Sequence, residues 1–78
     1  MPRLETTDFY FAASVIAQGC PLADTQRDGS RCTFCFDFPD EPTRKATILG
    51  YYQDSTRVSP LAFARAIKSL KALIHAIR

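Results

Sequence analysis

Cys32 and Cys35, in the stretch SRCTFCFDF (residues 30–38), are spaced as C-x-x-C. That spacing serves two chemistries: a redox dithiol with a lowered thiol pKa, or one half of a tetrahedral zinc site. Cys20 and His75 complete a four-ligand set on paper, but their separations follow no zinc pattern. Asp37, Asp40 and Glu41 form a second cluster, where a hard cation is conceivable and a helix cap at Asp40 is the simpler duty. None of the serines sits in a G-x-S-x-G elbow, His75 has no acid or nucleophile beside it, and no glycine-rich phosphate loop occurs. An enzyme is therefore the least expected class, and no cofactor or metal is expected.

Whether the cysteines can act together depends on the element that carries them. Cys32, Phe34, Phe36 and Phe38 alternate with Arg31, Thr33, Cys35 and Asp37. Period two over eight residues predicts a strand with one aromatic face toward a core. Residues three apart in a strand point to opposite faces, so Cys32 and Cys35 do not grip one ion. FDFP continues the strand instead of opening the helix that activates a redox cysteine. The expected role of the cysteines is to fill space.

The strand is flanked by clear punctuation. TTDFYFAASVIAQG (residues 6–19) reads as a helix, with Thr6 or Thr7 as N-cap, Asp8 in the first turn and a stop at Gly19. Pro21 prevents continuation, and Asp28-Gly29 signals the turn of a hairpin spanning residues 22–38. Asp40 as N-cap and Pro42 in the first turn open a second helix. Its buried side is either Ala46, Leu49 and Tyr52 or Ile48 and Tyr51; Gly50 weakens it. Thr56–Val58 is expected as a short third strand, and Ser59-Pro60 starts a long helix running to the chain's last residue. The predicted fold is α+β: helix, β-hairpin, helix, short strand and long C-terminal helix, the helices packed on a small antiparallel sheet. Residues 1–78 are read as a single domain.

The last helix carries the strongest signal. Phe63, Ile67, Leu70, Ile74 and Ile77 gather on one side with Leu73 at its edge, while Arg65, Lys68, Lys71, His75 and Arg78 gather on another. From Ser55 onward there are five basic residues and no acid; the first 54 residues hold five basic and eight acidic ones. The formal net charge of +2 hides this segregation. A solvated amphipathic face, favoured by the helix dipole, is one explanation of the stripe. A plain solvated face mixes Glu with Lys, however, and an all-basic one reads as a footprint for nucleic acid or an acidic surface. The candidate nucleic-acid-binding residues are Arg57, Arg65, Lys68, Lys71 and Arg78, with Tyr52 to stack on a base.

Composition sets the outer bounds. An ordinary apolar fraction of 46% argues against disorder, and no apolar run reaches the ~20 residues that span a membrane. The N-terminal stretch has one arginine followed by acids, unlike a secretory signal. A cytoplasmic setting, with the three cysteines reduced, is expected.

TTDFYFAASVIAQGCPL, RCTFCFDF and VSPLAFARAIKSLKALI together resemble a family of short uncharacterised proteins from phages and other bacterial mobile elements. Phe9 and Tyr10 fall at its aromatic positions, Gly19 and Leu22 in its first loop, Phe36 and Phe38 in its strand, and Lys71 at the lysine of its last helix; Ile16 stands where leucine is usual. The shared motifs are packing motifs. The resemblance implies a mobile-element protein without a settled biochemical role; some similar small proteins look like companions of replication proteins such as primase-polymerases. The expected function is a non-enzymatic accessory protein binding nucleic acid, most of all single-stranded DNA, alongside a larger replication protein. The alternatives are a phage-borne inhibitor of a host defence complex of the CRISPR type, and a subunit docking into a larger assembly.

Overall fold

In the computed structural model, which describes residues 1–76, the chain forms β1 (Arg3–Thr6), α1 (Phe9–Ala17), β2 (Asp24–Asp28), β3 (Arg31–Asp37), α2 (Glu41–Tyr52) and α3 (Pro60–Ala76). The α+β architecture expected from the sequence is present, and the three strands make one antiparallel sheet ordered β1-β3-β2. Its third strand is β1, not Thr56–Val58, which lies in the connection before α3. There the Arg57 guanidinium curls back, its Nη1 donating to the carbonyls of Asp54 and Thr56 at 2.9 and 3.0 Å.

β3 is central because it alone carries a continuous aromatic face. Leu4 opposes Phe36 and both Thr6 and Thr25 oppose Phe34, which puts these side chains on the inner face of the sheet. Phe34, Phe36 and Phe38 are buried there with Leu4, Phe11, Val15, Ala66 and Leu70. β2 and β3 are joined through Gly29-Ser30. Gly29 has φ +63° at the first central position, and Ser30 stays at negative φ, which gives the handed turn that suits two twisted strands.

α1 is buried over five consecutive residues, Phe11 to Val15, so its middle is covered all round, while Tyr10 near its start is exposed. α1 packs against both β1 and α3, and its fully buried Ala12 and Ala13 are small enough to permit close approach of a neighbouring element. Leu70 and Ala66 supply the fully buried contacts of α3, with Phe63, Ile67 and Ile74 half-buried beside them; Ile77 lies outside the described residues. α2 lays Ile48 and Tyr51 inward and leaves Leu49 and Tyr52 exposed, which selects the second of its two possible buried sides.

Caps fix the helix ends. The N-cap of α1 is Asp8 in place of Thr6 or Thr7: its Oδ1 accepts from the Phe11 N–H at 3.1 Å, and Thr6 Oγ1 accepts from the Asp8 N–H at 3.0 Å. Asp40 caps α2 through the Thr43 N–H at 2.7 Å, and Ser59 caps α3 through the Ala62 N–H at 3.0 Å. At the other ends, α1 and α2 close by the same pattern. Gly19 donates to Ile16 O and Cys20 to Val15 O; likewise Asp54 donates to Tyr51 O and Ser55 to Gly50 O. The left-handed position is Gly19 (φ +98°) in the first and Asp54 (φ +56°) in the second.

The two cysteines of the C-x-x-C lie on opposite faces of the sheet. Cys32 opposes Arg27 and is half-buried at the core's edge; Cys35 lies on the outer face between Glu5 and Asp24, its cross-strand neighbours. Arg3 reaches both of those carboxylates, at 3.9 and 3.6 Å, and so spans Cys35, which is fully buried although the helices are on the other side. Among the described residues no three of His, Cys, Asp and Glu converge as a metal-holding group.

A candidate nucleic-acid interface on the C-terminal helix

Because Ala66 and Leu70 face the core, the opposite side of α3 is presented to solvent, and Arg65, Lys68, Lys71 and His75 are all exposed on it. At 100° per residue Lys68, His75 and Lys71 fall within about 60° of one another, with Arg65 about 60° further round. Among the described residues no carboxylate comes within ion-pairing distance of Arg65, Lys68 or Lys71. Arg57 is exposed in the loop before α3, tied by Nη1 to the two carbonyls named above, with its other guanidinium nitrogens unpartnered among the described residues. Arg78 lies outside the described residues.

The charge segregation of the sequence is also a segregation in space. Arg3, Glu5, Asp24, Asp28, Arg31 and Asp37 share the outer face of the sheet, four carboxylates against two guanidinium groups. α3 presents its cations on the far side of the molecule.

Tyr52, the expected stacking residue, is 62% exposed and yet held in place. Its ring centroid lies 5.5 Å from that of Phe11 and 5.0 Å from Tyr51, which stands edge-on to it, and its hydroxyl donates to Asp8 Oδ2 at 3.4 Å. Burial, with the negative charge of Asp8 second, pushes the phenols of Tyr51 and Tyr52 above the ordinary tyrosine value. Both hydroxyls are therefore protonated donors at neutral pH.

Tyr52 is not on the basic stripe; it borders a cleft of about 440 Å³ beside it. Tyr51, Tyr52, Val58 and Phe63 supply its apolar walls, Ser14, Asp54 and Thr56 its polar ones. The sequence alone does not reveal this hollow, since it forms only where α1, the end of α2, the loop and the start of α3 meet. The one local sign is YYQDST, two aromatics followed by polar residues after a weak helix end. A second hollow, about 420 Å³, lies between the end of α1 and α2 and includes Cys20, whose thiol is pushed up by burial and by Asp37.

No helix is long and apolar enough to cross a membrane among the described residues. No protein-family model, curated protein or solved structure matches this chain.

Proposed function

We propose that this protein is a non-enzymatic accessory factor of a phage or bacterial mobile element that binds single-stranded nucleic acid through α3 and works beside a larger replication protein. The observation that carries this reading is the set of exposed cations Arg65, Lys68 and Lys71 with no carboxylate beside them among the described residues. Unpaired cations on a rigid helix repel one another, and a polyanion relieves that cost by releasing its own counterions on binding. Arg57 extends the charge past the start of the helix, and Tyr52 offers a ring to a base. The resemblance to mobile-element proteins supplies the setting.

The test is a titration of labelled single-stranded DNA at several salt concentrations. Lys68→Gln with Lys71→Gln preserves helix propensity and should lower affinity similarly for all sequences, reducing the salt slope by about 0.7 per lost contact. Asp24→Asn, on the acidic sheet face, should weaken nothing. Absence of any salt-dependent binding by the wild type at low ionic strength sinks the proposal.

The acidic outer face of the sheet favours a second reading, in which the protein is a phage-borne inhibitor that offers carboxylates to the nucleic-acid-binding surface of a CRISPR-type defence complex. Neighbouring genes separate the two: polymerase or helicase genes support the first, antagonists of host defence the second.

A further inference from the structure

We infer that the cleft between α2 and α3 is a base-binding slot that prefers guanine. The inference rests on the nucleic-acid reading above and names the ligand for a part of the surface that the basic stripe does not reach.

The cleft's volume of about 440 Å³ falls within the ~300–1,000 Å³ range of small-molecule sites. Its lining suits a flat aromatic ligand, with the rings of Tyr51, Tyr52 and Phe63 and the side chain of Val58 around it. The Tyr52 ring is fixed by Phe11, Tyr51 and Asp8, so little side-chain freedom is lost when a base stacks there. Arg57 sits between the lining residues Thr56 and Val58, with guanidinium N–H groups left for a phosphate. Along α3, Lys71 follows Phe63 by about 12 Å of helix and about 80° of rotation, so a strand leaving the slot can reach the stripe.

Asp54 chooses the base. Asp54 is among the residues lining the cleft and, among the described residues, its carboxylate makes no hydrogen bond or ion pair. A carboxylate is acceptor-only and takes two parallel N–H groups at once. Guanine, with N1–H beside N2–H₂, is the one standard base whose Watson–Crick edge offers that pair. Asp54 is also held at φ +56° by the cap of α2, which fixes its backbone at the cleft's edge.

The experiment compares oligo(dT) with the same oligomer carrying one central dG, and with inosine replacing that guanine. One guanine is expected to raise wild-type affinity about tenfold, and inosine, which lacks the N2 amine, to lose most of that gain. Asp54→Asn keeps a residue at home in the left-handed region. It should abolish the guanine preference without weakening the binding of oligo(dT). Equal wild-type affinity for the dT, dG and inosine oligomers overturns the slot and leaves the nucleic-acid reading standing if Lys68→Gln with Lys71→Gln still weakens binding. Failure of the wild type to bind any of them at low salt overturns both.

Discussion

Thr56 lies so close over Gly50 that a methyl group on the glycine would stand 3.0 Å from the threonine Oγ1. The loop after α2 folds back at this point, its Ser55 and Thr56 N–H groups both donating to the Gly50 carbonyl, at 2.8 and 3.1 Å. Gly50→Ala alone should therefore yield much less than the ~1 kcal/mol that the exchange gives in an open helix. With Thr56→Ala in place the gain should reappear, a coupling of about 0.5–1 kcal/mol in a double-mutant cycle of denaturant unfolding. Strict additivity would mean that the contact costs nothing.

Phe36 is completely buried at the centre of the sheet, opposite Leu4. Phe36→Ala should destabilise by about 3–5 kcal/mol, a large part of the stability of so small a domain. An unchanged melting temperature would contradict the placement of the ring.

Arg3 is the cover of Cys35. Burial, above all, raises the Cys35 thiol pKa, so two lines of protection act together. In the wild type Cys35 should react with a thiol reagent far more slowly than the half-buried Cys32. Arg3→Ala should accelerate Cys35 and leave Cys32 unaffected, as read by mass spectrometry of the labelled peptides. Equal rates for both cysteines in the wild type would refute the cover.

Asp40 titrates with the N-cap of α2. Its hydrogen bonds from Thr43 hold the carboxyl below the ordinary aspartate value. A depressed folded pKa means that the carboxylate's contribution is complete above the unfolded value of about 3.9 and is lost as pH falls through the lower folded one. Asp40→Asn keeps a capping oxygen without the charge. The melting temperature of the wild type should exceed that of Asp40→Asn at pH 7, and the gap should close in acid. A gap that stays constant down to pH 2 would show that the charge has no part in the cap.

The elements legible in the sequence are those with a strong local signal. β3 announces itself by four apolar residues at alternate positions, and Asp40, Ser59 and Gly19 mark helix ends because their chemistry is spent on neighbours within a few residues. β1 is invisible by the same logic: RLET holds one apolar residue, and only pairing with β3, about thirty residues on, makes it a strand. Thr56–Val58 failed in the opposite way, since β-branched residues gave the segment strand character while the cap of α2 and the Arg57 side chain curl it. The basic face of α3 was readable from helical periodicity. The cleft was not, because its walls come from four separate parts of the chain.

The burial of the middle of α1 has a consequence for how the molecule is made. During synthesis the sheet residues and α1 emerge from the ribosome well before α3, yet α1 packs against that last helix. Until then α1 can close against β1 and β3 but must leave an apolar flank in water. The core is thus completed by its most distant contact, and nascent chains that stall before α3 are natural targets for chaperones and proteases. Truncation within α3 should accordingly abolish folding of the whole domain and not merely remove a binding surface.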